Sequence, residues 1–136
     1  MLAKKKEYFY EVDLSWNSDR TGTLHALGLP EIEVLTPTEF VSGKKDTWTP
    51  EHMLAGAVSS SIMATFLAIA DYSGLSLIDY KSHCFVKLIQ KEGKLQATEI
   101  LIRPTITLIS EKDLAKAVQS IDQAENSCPV KEYIKA

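Results

Sequence analysis

The longest uncharged segment of the chain lies within residues 49–74, which read TPEHMLAGAVSSSIMATFLAIADYSG. This segment has the start and stop signals of one helix. Thr49 can cap the N-terminus, and Pro50 suits the first helical turn, where a missing N–H costs nothing. The negative charge of Glu51 meets the positive end of the helix dipole, and Gly74 is a natural stop. We therefore predict one long helix between Thr49 and Gly74.

The middle of this predicted helix is apolar on every side. The 18 residues at positions 53–70 carry no charge, so we expect burial nearly all round. A helix of about 24 residues is roughly 36 Å long, and one chain of this size would struggle to cover it, which suggests that a second chain helps. A membrane span is the alternative, because about 18 apolar residues reach the threshold for one. Glycine, serine and threonine dilute the apolarity and no basic flank follows, so a core helix is favoured.

The composition is typical of a soluble globular protein. The 136 residues suffice for one domain with a real core, and the apolar and charged fractions are ordinary. The formal net charge is -3 with both signs scattered along the chain, which argues against nucleic acid as a partner. The N-terminus lacks the apolar stretch of a signal peptide, so we expect a cytoplasmic location.

Strands and helices are segregated along the sequence. Alternating apolar residues and turn signals predict three strands before the long helix, followed by a polar loop at residues 36–46, and two longer strands after the helix. The predicted strands are residues 8–16, 23–26, 31–35, 80–89 and 95–109. A hairpin turn is expected at residues 91–94, and Pro104 suggests an edge strand or a bulge. A shorter amphipathic helix, with an apolar stripe from Leu114 to Ala124, begins at Ser110 and ends near Asn126. This order predicts an α+β fold with antiparallel sheets, in a single domain over residues 1–136.

Two cysteines are the first candidates for chemistry. Cys128 follows the predicted end of the second helix and precedes Pro129, so its backbone is held and its thiol can face a pocket; a buried, inert cysteine is the common alternative. Cys84 lies in the middle of a strand among apolar neighbours and is interpreted as core packing. Two cysteines are not a disulfide framework, and we expect both to be thiols.

Other familiar kinds of site are not indicated by the sequence. The histidines and cysteines lack the ligand spacing of a zinc site. No glycine-rich phosphate loop and no serine nucleophile elbow is found. We therefore expect no metal and no cofactor. The serine run Ser59, Ser60 and Ser61 can be structural, since helical hydroxyls donate to the carbonyl one turn earlier, or it can let a second helix pack closely.

Three short motifs stand out when the candidate residues are taken together. They are Asp19-Arg20-Thr21-Gly22 after the first strand, Pro50-Glu51 before a long helix of small residues, and Ser127-Cys128-Pro129-Val130 after the second helix. With this order of strands and helices, the chain resembles the OsmC/Ohr family of thiol-dependent peroxidases over nearly its whole length. The Cys-Pro-Val and Pro-Glu motifs are fairly specific as a pair, and neither is specific alone.

The resemblance implies an intertwined homodimer with the long central helices buried at its centre and two active sites at the interface. In the family, a peroxidatic cysteine in the central helix attacks the peroxide oxygen, while an arginine and a glutamate hold and activate its thiolate. A second cysteine, before Pro-Val, resolves the sulfenic acid into a disulfide. Arg20 matches the arginine, Glu51 the glutamate and Cys128 the resolving cysteine.

This chain departs from the family at the peroxidatic position, which falls at Ser61 when counted along the helix from Pro50. An alcohol is far less acidic than a thiol and has no accessible sulfenic state. The usual two-cysteine cycle therefore cannot run as written.

Three functions remain open. The favoured one is a divergent OsmC-like protein without standard peroxidase turnover, which binds a small apolar or electrophilic ligand at the dimer interface near Ser61, Arg20 and Glu51. The second is an active one-cysteine peroxidase of the oxidative stress response, in which an exposed Cys128 attacks a small hydroperoxide and an external thiol resolves it. The third is a structural or interaction protein whose pocket has closed. A hydrolase based on Ser61 would need a base within reach, and His52 lies about 13 Å away along the helix axis.

Overall fold

The computed structural model of the chain describes residues 6–35 and 46–130. The chain divides into two compact units, Met1–Pro50 and Glu51–Ala136. The predicted loop at residues 36–46 lies outside the described residues except for Asp46. The single domain over residues 1–136 stays a prediction.

The first unit contains a three-stranded antiparallel sheet. Its strands are β1 (Asp13–Ser18), β2 (Thr21–His25) and β3 (Ile32–Leu35), and they lie side by side in this order. All three predicted strands are present, but β1 begins five residues later than the start of the alternating pattern. Asp13 pairs with His25, the last residue of β2. Among the described residues, no strand pairs with residues 6–12, and the alternation alone does not make a strand.

The helix α1 (Pro50–Tyr72) is present as the sequence predicts, and all of it after Pro50 belongs to the second unit. Its core face is formed by residues that recur every four positions, namely Val58, Ile62, Phe66 and Ala70. The opposite face is exposed and carries Ser60, Met63, Ala64, Leu67 and Ala68. The expected burial nearly all round is therefore not reached within one chain. By length and composition α1 could also cross a membrane, but its buried face packs as that of a core helix.

Two long strands form an antiparallel hairpin against this helix. They are β4 (Leu77–Lys91) and β5 (Lys94–Leu108), joined by the two residues Glu92 and Gly93. Both turn residues have positive φ, 54° and 76°, which is typical of the type I′ turn that matches the twist of paired strands. Pro104 pairs with Ser82 in this sheet, which has two strands among the described residues. Within that part of the chain it lies on an edge strand, one of the two predicted alternatives.

The second helix is preceded by one 3-10 turn. Ser110 caps that turn, since its Oγ accepts a hydrogen bond from the backbone N–H of Lys112 at 3.3 Å. The α-helix proper, α2, spans Leu114–Ser127. Its buried residues are Ala117, Ser120 and Ala124, whereas Leu114 and Val118 of the predicted apolar stripe are exposed. Small side chains thus face the core, whereas the larger side chains of Leu114 and Val118 are exposed.

The core of the second unit has two neighbouring clusters. The first is built on Phe66, Ala70, Leu75, Ala117 and Ala124. The second is built on Val58, Ile62 and Cys128. Partly buried Ile121 packs against both clusters. The second cluster is the one that contains candidate functional residues.

Candidate functional site

Cys128 lies directly after α2, with its thiol turned into the core. Its backbone is extended, with φ −63° and ψ 121°, the conformation that a following proline favours. The residue is 0% exposed. The proline therefore ends the helix in a way that directs the sulfur inward rather than to solvent.

The surroundings of this sulfur are almost entirely apolar. Cys128 forms a buried cluster with Val58 and Ile62, and the side chains packed against this cluster are Ile100, Ile102, Ile121 and Val130. Its polar contact is with Ser61 of α1, since Sγ donates a hydrogen bond to Ser61 Oγ at 2.9 Å. Two residues separated by 67 positions in the sequence are thus brought into direct contact.

Ser61 differs from the two serines that precede it. Ser59 Oγ donates to the carbonyl of Ala55 at 2.7 Å, and Ser60 Oγ donates to the carbonyl of Gly56 at 2.7 Å. The prediction that helical serines bond to the preceding turn is confirmed for these two. Ser61 Oγ instead accepts the hydrogen bond from Cys128, so it has a tertiary partner.

Glu51 has a shielded carboxylate in the first turn of α1. Its Oε2 is buried and has no hydrogen-bond partner among the described residues. A buried acceptor without a partner costs free energy. Arg20 and Glu51 belong to different units, and their pairing stays a prediction.

Arg20 lies in the tight turn between β1 and β2. Two side chains hold this turn: Trp16 Nε1 donates to the carbonyl of Asp19 at 3.0 Å, and Thr21 Oγ1 donates to the carbonyl of Ser18 at 2.7 Å. Within residues 6–35 and 46–130, the Arg20 side chain has no ion pair and no hydrogen bond. A fixed backbone therefore presents an unpaired cation.

A cavity of about 540 Å³ opens beside this turn. Its walls are mainly apolar and come from Leu14, Trp16, Val34, Leu35 and Pro50, and Arg20 lines the same cavity. The volume falls in the range of roughly 300–1,000 Å³ found for small-molecule sites. Sequence reasoning placed Trp16 and Leu14 on a strand and missed them as cavity walls. The signal was their position on one face of the alternating strand.

Tyr80 is a titratable group in the core beside the site. Burial, together with the nearby carboxylate of Glu125, raises the pKa of Tyr80 above its usual value, and Ser82 acts in the opposite direction. Its ring lies 5.5 Å from that of Phe66, and its hydroxyl oxygen is buried. This environment favours the neutral phenol.

The remaining candidates do not form a further site. Cys84 is half-buried and lies opposite Ile102 in the β4–β5 sheet, in agreement with its interpretation as packing. Both cysteines are free thiols. In the part of the chain that the structure describes, no group of metal-ligating side chains is found.

Comparisons with known proteins identify the fold and the family. The sequence profile of the family described as OsmC-like protein matches residues 43–136. An OsmC-like protein of unknown function from Vibrio cholerae has a TM-score of 0.85 at 18% identity, over 96% of both chains. An organic hydroperoxide resistance protein from Elizabethkingia anophelis has a TM-score of 0.75 at 18% identity, over 94% of this chain and 90% of that one.

The organic hydroperoxide resistance protein OhrB of Bacillus subtilis has a TM-score of 0.66 at 17% identity, over 93% and 90% of the two chains. No curated protein sequence matches the chain. Identities this low show a shared fold, and the α+β arrangement of antiparallel strands around a core helix is that fold. Because the profile covers more than half of the sequence, the chain belongs to the family of OsmC-like proteins.

Proposed function

We propose that this protein is a degenerate OsmC-like protein, which forms a homodimer and binds a small apolar or electrophilic ligand but does not run the two-cysteine peroxidase cycle. The contact between Ser61 Oγ and Cys128 Sγ at 2.9 Å carries the proposal. A hydroxyl occupies the position where the family resemblance expects the peroxidatic thiol, in contact with the cysteine that would resolve it.

The chemistry of the cycle explains why this pair is inert toward hydroperoxides. A thiolate attacks the peroxide oxygen, the alcohol leaves, and a sulfenic acid remains. The second thiol then displaces hydroxide from that sulfur and forms a disulfide. Serine has no sulfur on which a sulfenic acid can form. Neither the attack on the peroxide nor the formation of the disulfide can therefore take place at position 61. Cys128, with 0% exposure in the chain, also lacks the access that a one-cysteine mechanism requires.

The exposed face of α1 supports the homodimer. Met63 and Leu67 are 37% and 39% exposed in a single chain, and Ser60, Ala64 and Ala68 lie on the same face. Apolar side chains interspersed with small ones allow close approach of a second helix. A second copy that covered this face would bury the uncharged segment on both sides.

Two unpaired charged groups support the ligand-binding part of the proposal. Glu51 has a buried, unpartnered carboxylate oxygen, and Arg20 lines a mainly apolar cavity. Both groups are retained although the peroxidatic thiol, which they would activate in the family, is not. A polar group of a ligand would satisfy either of them.

A cytoplasmic location stays a prediction.

The proposal is tested by hydroperoxide consumption. The natural protein, Ser61→Cys and Ser60→Cys are compared with cumene hydroperoxide and dithiothreitol. We expect the natural protein to be inert and Ser61→Cys to gain turnover, because the new thiol lies beside Cys128. Ser60→Cys is the matched control, since its side chain is directed to the preceding turn of α1, and we expect no turnover from it.

Turnover by the natural protein that is lost in Cys128→Ser would contradict the proposal and establish the one-cysteine mechanism instead. Equal gains in Ser61→Cys and Ser60→Cys would show that any new thiol reacts and that position 61 has no special geometry.

A further inference from the structure

We infer that the cavity of the first unit binds apolar monocarboxylates, with the guanidinium of Arg20 as the anchor for the carboxylate. The inference rests on the proposed function in that it names the ligand of an OsmC-like protein without peroxidase turnover. In this inference Arg20 binds the carboxylate of the ligand directly, and no thiolate at position 61 is needed.

The geometry of the β1–β2 turn presents Arg20 in a fixed place. The turn consists of Asp19 and Arg20, and Asp19 has a φ of 50°. The hydrogen bonds from Trp16 and Thr21 cross the turn and fasten it from both sides. The first of these bonds also fixes the indole of Trp16, which is a wall of the cavity. Anchor and wall are thus positioned together before any ligand arrives, which lowers the entropy cost of binding.

Gly22 keeps the space beside this wall open. It pairs with Trp16 in the sheet, and a Cβ at this position would lie 3.0 Å from the carbonyl oxygen of Ser15 and 3.1 Å from Leu14 Cδ1. Any larger residue would therefore displace Leu14, another wall of the cavity. The close approach of β1 and β2 and the shape of the cavity both depend on this glycine.

The charge in the cavity indicates the chemical class of the ligand. Among the residues that the structure describes, Arg20 is the charged one that lines it, and a guanidinium is always protonated and binds carboxylates through two parallel hydrogen bonds. The other described walls are mainly aliphatic or aromatic and carry no second cation for a more highly charged anion. A molecule with one carboxylate and an apolar body matches both parts.

Binding of phenylacetate tests this inference. The full chain is titrated with phenylacetate, and its amide nitrogen and indole nitrogen resonances are followed by NMR. The Trp16 indole signal is assigned from the spectrum of Trp16→Phe. We expect saturable shifts of this signal and of the Arg20 amide signal. The affinity for phenylacetate should be at least about tenfold above that for phenylacetamide, because phenylacetamide has no negative charge to pair with Arg20.

Two variants separate the anchor from general electrostatic attraction. Arg20→Gln should weaken phenylacetate binding by about tenfold or more and leave phenylacetamide binding unchanged. Arg103→Gln removes the same charge from an exposed position on β5 and should leave both affinities unchanged. The unaltered remainder of each spectrum reports that the variant is folded.

Three results would overturn the inference: no saturable shift at millimolar phenylacetate, equal affinity for phenylacetamide, or equal losses in the two arginine variants. This readout is independent of hydroperoxide turnover. If the natural protein consumed hydroperoxide and still bound phenylacetate at Arg20, the proposed function would fail while the carboxylate site stood. If the natural protein neither consumed hydroperoxide nor bound phenylacetate at Arg20, the carboxylate site would fail while the proposed function stood.

Discussion

Ser61 lies where α1 meets the end of α2, and its Oγ accepts a hydrogen bond from the thiol of Cys128 at 2.9 Å. A serine side chain has nearly the same shape as a cysteine side chain, but its oxygen cannot form the sulfenic acid or the disulfide that a sulfur forms. Around this pair the packing is apolar, so the hydrogen bond satisfies groups that would otherwise be buried without a partner. A serine at this position is therefore compatible with a stable fold and incompatible with a disulfide.

Ser61→Cys should form a disulfide with Cys128 on mild oxidation. The two side-chain atoms are already 2.9 Å apart, and a bond of about 2.05 Å requires only a small shift. Closing a loop between residues 67 positions apart would raise the free energy of unfolding by up to about 4 kcal/mol in the loop-entropy model. Urea unfolding of the oxidised and reduced variant measures the difference, and mass spectrometry counts the remaining thiols.

Ser60→Cys serves as the control for this bond. Its side chain lies on the exposed face of α1 and, as serine, bonds to Gly56, so it should form no disulfide with Cys128 of the same chain under the same oxidation. Absence of an intramolecular disulfide in Ser61→Cys as well would contradict the geometry of the pair.

The β4–β5 hairpin is an element whose geometry is set by its two-residue turn. Glu92 and Gly93 both have positive φ, a region in which glycine is at ease and side chains with a Cβ are strained. A Cβ added at Gly93 would meet no atom within 4 Å. Backbone strain, rather than a steric clash with neighbours, therefore decides what this position tolerates.

Gly93→Val should lower the free energy of unfolding by about 1–2 kcal/mol, because valine has to adopt the left-handed region. Urea denaturation measures the loss. Gln90→Val places the same side chain on an exposed strand position of β4, where a β-branched residue is favoured, and should not destabilise the chain. Equal losses in the two variants would show that valine itself, and not the turn, is responsible.

The helix α2 shows how an element's burial differs from its apolar pattern. Leu114 and Val118 are 61% and 53% exposed, whereas Ser120 is buried. The core selects the small residues of this helix, because Ala117 and Ala124 let it approach the cluster around Phe66 closely. Ala117, Ile121 and Ala124 of the predicted stripe face the core, whereas its Leu114 and Val118 do not.

At the scale of the whole molecule, many large apolar side chains of the described residues are exposed in a single chain. On α1 this surface is the face opposite the buried one, with Met63 and Leu67. Large exposed apolar patches are typical of interfaces between proteins. The homodimer proposed above explains why a helix with 18 uncharged residues in sequence has one open face in a single chain.

Light scattering coupled to size-exclusion chromatography should give twice the mass of one 15.1 kDa chain. Leu67→Glu should shift the population to monomer, since it places a charge within the proposed interface. Ala115→Glu adds the same charge to an exposed position of α2 and should leave the dimer intact. A monomer for the natural protein at micromolar concentration, or equal disruption by both variants, would contradict this interface.

Local features of the sequence were enough to predict most elements. The capping signals around Thr49 and Pro50 gave the start of α1, Gly93 marked the hairpin turn, and alternating apolar residues gave the strands and their order. Such signals act within a few residues, so they are present in the chain before it folds. The three motifs also led to the family through resemblance, and the family profile confirms that assignment.

Tertiary structure alone decided what the candidate residues touch. The contact of Ser61 with Cys128 joins segments far apart in sequence, and the complete burial of that thiol depends on the same packing. The burial of the Glu51 oxygen is also not indicated by the local sequence. The start of β1 at Asp13 and the exposure of Val118 likewise depend on where neighbouring elements end or pack. The sequence by itself determined the elements and the family, because propensity, capping and turn chemistry are local. The hydrogen-bond partners and the burial of the side chains were decided by the fold, because they depend on distances between elements that are set only when the elements pack together.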